Sequence, residues 1–271
     1  FMLANHEDAV KYYKLLFEVN PKRVLGRGPL LATLNYECSL TQEYYLAECL
    51  KYSKIMETVL IPNKRKQTHV KNKKIKIAFL SANLKAHSVS FFLKDLFMKI
   101  DKKIIEVIAL SNLDKKNQDY MSEVVKNTVN QWHDIFDSSD TEVVDLIKHL
   151  NIDILIDLNG FTDGNRINVL NNRCAPVQIC WLGYNNSTGI KNMDYIISDH
   201  NLIKRNEEKL YSEKILYLPK IWNALSKPKD LPQIGELPKK DSKIFSYGSF
   251  NNFAKLSNDT IEVWSKILKN S

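Results

Sequence analysis

Between Lys74 and Leu218, short apolar runs alternate with amphipathic stretches, and this alternation limits the chain to few folds. The runs are KIKIAFLSA, IIEVIALS, QWHDIFD, IDILIDL, PVQICWL, DYIISD and KILYLP. IDILIDL is almost continuously apolar, the texture of a strand covered on both faces. Between runs, Phe92, Leu93, Leu96, Phe97 and Ile100 recur at helical spacing, and a polar helix is expected near Gln118 to Lys126. Ser139-Asp140-Thr141-Glu142 has the form of a capping box and opens the helix TEVVDLIKHL. Strands alternating with helices require crossovers, so the expected class is α/β with a mostly parallel sheet.

The flanks have a different texture. Ala9, Tyr13 and Leu16 share one helix face that ends at Pro21, a spacing compatible with the second helix of a tetratricopeptide repeat. A longer helical stretch is expected from Thr41 to Leu60. Beyond a Pro- and Lys-rich connection, KIFSYGSF reads as a strand, FNNFAKLS as a loop and NDTIEVWSKILK as an amphipathic helix. The expected division is a helical tail over 1–62, a basic linker over 63–73 and an α/β domain over 74–225. A second linker over 226–242 leads to the opening of another sheet over 243–271, which leaves the second domain incomplete.

The net charge of +8 is concentrated in Lys64, Arg65, Lys66, Lys71, Lys73, Lys74 and Lys76. Such a run is a solvated linker or a nucleic-acid patch; it has no aromatic residue on which a base could stack, so no nucleic-acid partner is expected. No apolar run approaches the ~20 residues of a membrane span, and the first residues lack the form of a signal peptide. Cys38, Cys49, Cys174 and Cys180 form no C-x-x-C pair and have no histidine at zinc-finger spacing. Cys174 and Cys180 flank or occupy an apolar strand, where buried free thiols are the expectation, and a reducing cytoplasm is the simplest setting.

In an open parallel sheet, ligands bind at loops beyond the carboxyl ends of the strands. Three such loops are NLKAHSVS with His87, NGFTDGNR with Asn159, Gly160, Thr162 and Arg166, and GYNNSTG with Gly183, Tyr184, Asn185 and Thr188. No Walker loop, G-x-G-x-x-G, H-E-x-x-H or G-x-S-x-G is present, so those nucleotide, zinc and serine-hydrolase sites have no support. Lys255 lies between an expected strand and helix, where a helix N-terminus favours an anion; it is a phosphate ligand or a solvent-facing loop residue. His87 is a surface cap or a catalytic group.

These blocks together resemble glycosyltransferase family 41, the O-GlcNAc transferase and SPINDLY-like enzymes. SANLKAHSVSFFL, IDILIDLNGFTDGNR, RCAPVQICWLGYNNSTG, MDYIISD, YSEKILYLP and FNNFAKLS follow that family in order and spacing. VLGRGPLLATLNYECSLTQEYYLAECLKYSK is similar to its passage from tetratricopeptide repeats into the catalytic part. The resemblance implies a GT-B architecture of two Rossmann-like domains. It also implies inverting transfer of a sugar, without metal or cofactor, from a nucleotide-sugar such as UDP-GlcNAc to serine or threonine of acceptor proteins.

It further implies that Lys255 faces the donor diphosphate and His87 the donor sugar and phosphates. Gly160, Thr162, Gly183, Tyr184, Asn185, Thr188 and Asn252 would then line the substrate pocket. The chain departs from the family at Asn185, often proline there, at Phe161, usually tyrosine or histidine, and at Asn252, glutamine in animal members. The alternatives are a SPINDLY-like O-fucosyl or other hexosyl transferase, and a repeat-containing interaction protein with a vestigial catalytic part. On this reading the chain by itself is expected to be inactive.

Overall fold

The structure, a computed structural model, describes residues 6–37, 39–61, 74–226, 232–236 and 246–270. The basic linker over 63–73 and most of the linker over 226–242 lie outside these residues.

Three helices open the chain: α1 (His6–Val19), α2 (Arg27–Leu34) and α3 (Gln42–Met56). Then follow β1 (Ile75–Ser81), α4 (Ser88–Lys99), β2 (Ile105–Ser111), α5 (Tyr120–Thr128), β3 (Gln131–Asp134), α6 (Asp140–His149), β4 (Ile154–Asp157), the single turn α7 (Ile167–Leu170), β5 (Val177–Cys180), β6 (Tyr195–Ser198) and β7 (Lys214–Tyr217). A final helix, α8, spans Asn258–Lys269.

The seven strands pair in the order β3-β2-β1-β4-β5-β6-β7, and every pair is parallel. This is the strand order of a doubly wound, Rossmann-like sheet with one added edge strand. The chain runs outward from β1 through β2 to β3, then returns to β1's other side at β4. The sheet therefore changes direction between β1 and β4, and there the loops leaving the carboxyl ends diverge to opposite faces.

Alternation along the strands assigns the faces. Phe79, Val107, Ala109, Ile156 and Ile179 pack with Val89, Leu93 and Phe97 of α4 and Val125 of α5. Phe79 meets Phe97 edge-on at 4.8 Å between ring centroids. The intervening residues Ala78, Leu80, Ile108, Leu110 and Leu155 face the other way and pack with Val143, Val144 and Ile147 of α6. Val10, Phe17, Leu31, Tyr45, Cys49, Tyr52 and Met56 of α1–α3 belong to this second core. The opening helices thus share apolar surface with the sheet; burying each large side chain contributes about 1.5–3 kcal/mol.

Helix starts follow local chemistry. The Ser139 hydroxyl accepts from the Glu142 N–H while the Glu142 carboxylate accepts from the Ser139 N–H, the capping box expected for α6. Asp119 and Ser122 form a second one at α5. Of the strand expected over 243–250, residues 243–245 fall outside the described set, and Ser246 to Phe250 form no strand. α8 forms where expected, with Ser257 as its cap and its apolar residues Ile261, Val263 and Trp264 uncovered.

Candidate functional site

Because β1, β4 and β5 are adjacent and parallel, the His87, Gly160 and Gly183 loops emerge along one rim. The first two flank the point where the sheet changes direction, the usual ligand crevice of such sheets.

His87 is the N-cap of α4, and its Nδ1 accepts the Val89 N–H at 3.3 Å. In the neutral ring the proton therefore sits on Nε2, leaving an N–H donor on the exposed side chain. Partial burial and the nearby Lys85 charge hold the imidazole below its usual pKa, which favours this neutral tautomer. The loop is tied down by α5. Asp119 Oδ2 accepts the Ala86 N–H at 2.8 Å, and the Ser122 hydroxyl donates to the Leu84 carbonyl at 2.7 Å.

The loop after β4 turns around a buried carboxylate. Asp157 accepts the Gly160 N–H at 2.7 Å and the Asn159 N–H at 3.3 Å. Burial pushes the carboxyl up to about 7, and these two backbone bonds pull the other way. Gly160 has φ +53°, and a Cβ there would meet Tyr184 carbons at 2.4 Å, so only glycine fits. The Thr162 hydroxyl donates to the Asn159 carbonyl at 2.7 Å and accepts from the Asn159 amide at 3.2 Å. The loop's far end is anchored by Arg166, whose guanidinium bonds to Asn112, Asp140 and the Ile135, Phe136 and Ser138 carbonyls.

The loop after β5 begins with strain. Leu182 has φ +71°, and the Gly183 N–H bonds to the Trp181 carbonyl at 2.9 Å, forming a positive-φ γ-turn. Such a backbone state costs on the order of 1–3 kcal/mol and is retained where the surroundings enforce it. Here the neighbouring loop does: a Cβ on Gly183 would lie 1.8 Å from the Leu158 carbonyl oxygen. The backbone N–H groups of Tyr184, Asn185 and Asn186 have no acceptor among the described residues. The Asn185 side chain is exposed.

Two other residues of this loop are turned inward. The Tyr184 side chain is buried, edge-on to Phe161, with its hydroxyl bonded to Tyr45 and Asn35. Thr188 is fully buried, and both its N–H and its hydroxyl bond to Glu213. Their side chains shape the loop from within. Lys255 and Asn252 lie on the terminal segment, both exposed; Lys255 ends a short 3-10 turn just ahead of α8. Sequence reasoning missed Asp157, Leu182 and Glu213, because a carboxylate at a strand end and a leucine in a turn carry no motif. No group of three or more metal-ligating side chains occurs among the described residues, and none of their helices is long and apolar enough to cross a membrane.

Cys49, Cys174 and Cys180 are buried free thiols, as expected for the latter two. Burial pushes all three pKa values up, that of Cys174 to about 12, so none is a ready nucleophile.

Residues 41–229 match the model of glycosyl transferase family 41. The probable UDP-N-acetylglucosamine–peptide N-acetylglucosaminyltransferase SPINDLY of Oryza sativa subsp. japonica is 27% identical over 264 residues, which covers 96% of this chain and 28% of that protein. The corresponding SEC protein of Arabidopsis thaliana is 24% identical over 205 residues, covering 73% and 21%. Among solved structures, a lysine-to-methionine mutant of the Thermobaculum terrenum O-GlcNAc transferase superposes with a TM-score of 0.88 at 25% identity, covering 98% of this chain and 50% of that one. The chain therefore spans about a quarter of the length of these plant relatives and half of the solved chain.

Proposed function

The chain belongs to glycosyltransferase family 41, and from that premise we propose that its rim is part of a site moving a sugar from UDP-GlcNAc to serine or threonine of proteins. What supports this reading most is the alignment of three loops along one rim beside the switch point, with an Nε2–H donor on His87 and three N–H groups after Gly183 that have no acceptor among the described residues. Sugar hydroxyls and phosphate oxygens are acceptors, and a rim of fixed donors suits them.

In the proposed reaction the acceptor hydroxyl oxygen bonds to the anomeric carbon while the bond from that carbon to the diphosphate oxygen breaks. The leaving nucleoside diphosphate takes the electron pair, the acceptor hydroxyl gives up its proton to solvent water, and the configuration inverts. Lys255, beside the N-terminus of α8, would stabilise the negative charge that grows on the diphosphate, a favourable term larger in the transition state than in the ground state. The neutral His87 would donate Nε2–H to the sugar or a phosphate oxygen. This arrangement asks for no resident metal. Gly160 and Thr162 would contact ligand from the β4 loop, and Gly183 and Asn185 from the β5 loop. Tyr184 and Thr188 would act by shaping that loop, and Asn252 by flanking Lys255. The three buried free thiols suit a reducing cytoplasm.

The test is transfer from UDP-GlcNAc to a serine/threonine peptide by the full reading frame, followed by intact mass. Lys255→Ala is expected to lower turnover at least ~100-fold, with little change in melting temperature because the residue is exposed. Undiminished turnover in that variant would remove Lys255 from the mechanism. Failure of the wild type with every UDP- and GDP-sugar would remove the function.

A further inference from the structure

The β5 exit loop, Gly183 to Gly189, is gripped from two sides. On one side the Glu213 carboxylate accepts the Ser187 hydroxyl at 2.8 Å, the Thr188 N–H at 2.8 Å and the Ser212 hydroxyl at 3.0 Å, together with the Thr188 hydroxyl. On the other side stand residues about 140 positions away in the chain, on α2's end and α3. The two grips differ. Glu213 holds the loop's base, whereas the helices reach Tyr184, Asn186 and Ser187, the residues around the unbonded N–H groups.

The helix-side grip is a directed chain of hydrogen bonds. The Asn35 amide donates to the Tyr184 hydroxyl at 2.9 Å, and the Tyr45 hydroxyl donates to the Ser187 carbonyl at 3.1 Å. Each phenol has one proton. Tyr45 gives its proton to Ser187, so the bond between the two hydroxyls is donated by Tyr184. Burial raises both phenol pKa values well above normal, which keeps both protons in place. A parallel link runs through amides: Gln42 donates to Asn186 Oδ1, and Asn186 donates to Asn35 Oδ1 at 2.8 Å. Behind them Gly189 packs so closely on α3 that a Cβ would lie 2.6 Å from the Cys49 Cβ.

We propose that α2 and α3 set the shape of the β5 loop, with Tyr45 as a positioning residue that acts through Tyr184 and Ser187 without touching substrate. Tyr45 is the middle of the chain, so removing its hydroxyl takes the acceptor from the Tyr184 proton and leaves the Ser187 carbonyl only the Cys49 thiol, at 3.5 Å, in a buried place. The catalytic consequence rests on the function proposed above; the structural consequence does not.

The experiment is peptide-resolved amide exchange on wild type, Tyr45→Phe and Asn35→Ala in the full reading frame, alongside donor KM and kcat. Tyr52→Phe is the control, since Tyr52 is buried on the same helix and its hydroxyl makes no bond to this loop. Tyr45→Phe is expected to speed exchange of the bonded N–H groups of Gly183, Ser187, Thr188 and Gly189 at least ~10-fold, in line with an unmade buried hydrogen bond, while β1 and β4 stay protected. Asn35 is exposed, so Asn35→Ala keeps the fold and should give a smaller effect in the same segment. Donor KM should rise in step with loop exchange, with kcat changed less.

Unchanged loop exchange in Tyr45→Phe, or equal acceleration by Tyr52→Phe, would overturn the proposal. So would a loosened loop with unaltered KM and kcat in an otherwise active enzyme. A wild type without turnover would refute the proposed function instead, and the exchange data would still decide the positioning claim.

Discussion

Arg166 offers the sharpest quantitative test of how the rim is held. Its side chain is 14% exposed and makes five hydrogen bonds that tie the β4 loop to the ends of β2 and β3. Two of these are discounted. The Phe136 contact is exposed, and the Asp140 side chain is 28% exposed, so water replaces much of both when the arginine is lost. The Asn112, Ile135 and Ser138 acceptors are part-buried and would be left without their charged donor. Ile135 still accepts the Ser138 N–H, so Asn112 and Ser138 are the stranded acceptors, and Arg166→Met is expected to cost about 2–5 kcal/mol. For a unit of this size that is a fall of roughly 10 °C in melting temperature. Guanidinium unfolding followed by circular dichroism measures the free energy directly. Arg166→Lys keeps the charge but cannot span these acceptors at once, and it should recover less than half of the loss. A cost below ~1 kcal/mol for Arg166→Met would mean that water substitutes freely and the rim is held by packing.

Two further substitutions separate roles that one residue combines. His87→Ala removes both the α4 cap and the Nε2–H donor, and is expected to lose about 0.5–2 kcal/mol of stability as well as turnover. His87→Asn supplies a good cap without that donor, so it should melt near wild type and still fail in transfer; full transfer by it would show that the histidine is only a cap. Asp157 binds its proton more tightly when folded, at about pH 7, than when unfolded, at about pH 4. Its folded state is therefore favoured at low pH, and this contribution fades as pH rises from about 4 through 7. Asp157→Asn should flatten that slope in urea titrations taken at several pH values, and an unchanged slope would refute the assignment.

The sheet was legible because its chemistry is local and repetitive. IDILIDL and IIEVIALS can satisfy their backbone and bury both faces only as interior strands, and β4 and β2 form there. Strands came out shorter than their apolar runs, as at QWHDIFD, where β3 begins at Gln131 as expected but stops at Asp134 and Ile135 turns into the core. α2 lies within the tail expected to be helical, although no separate helix is expected for RGPLLATL, with its Gly28 and Pro29. The proline falls within the first turn, where its missing N–H costs nothing. Of the strand expected at 243–250, the described residues 246–250 form none. At the rim, the three loops could be placed from the strand order alone. The inward turn of Tyr184 could not, because it depends on Asn35 and Tyr45 arriving from far away in sequence.

The core shared by α1–α3 and the sheet bears on how such a chain can be cut and recombined. A boundary placed in the basic stretch would look natural by composition, yet it would strip Cys49 from Gly189, Tyr52 from Phe161 and Met56 from the Asn171 amide. A sheet inherited without these helices would lose the outer wall of its β5 loop along with apolar cover. In an exchange of modules between relatives, α2 and α3 therefore travel with the strands, and a junction that works lies ahead of them.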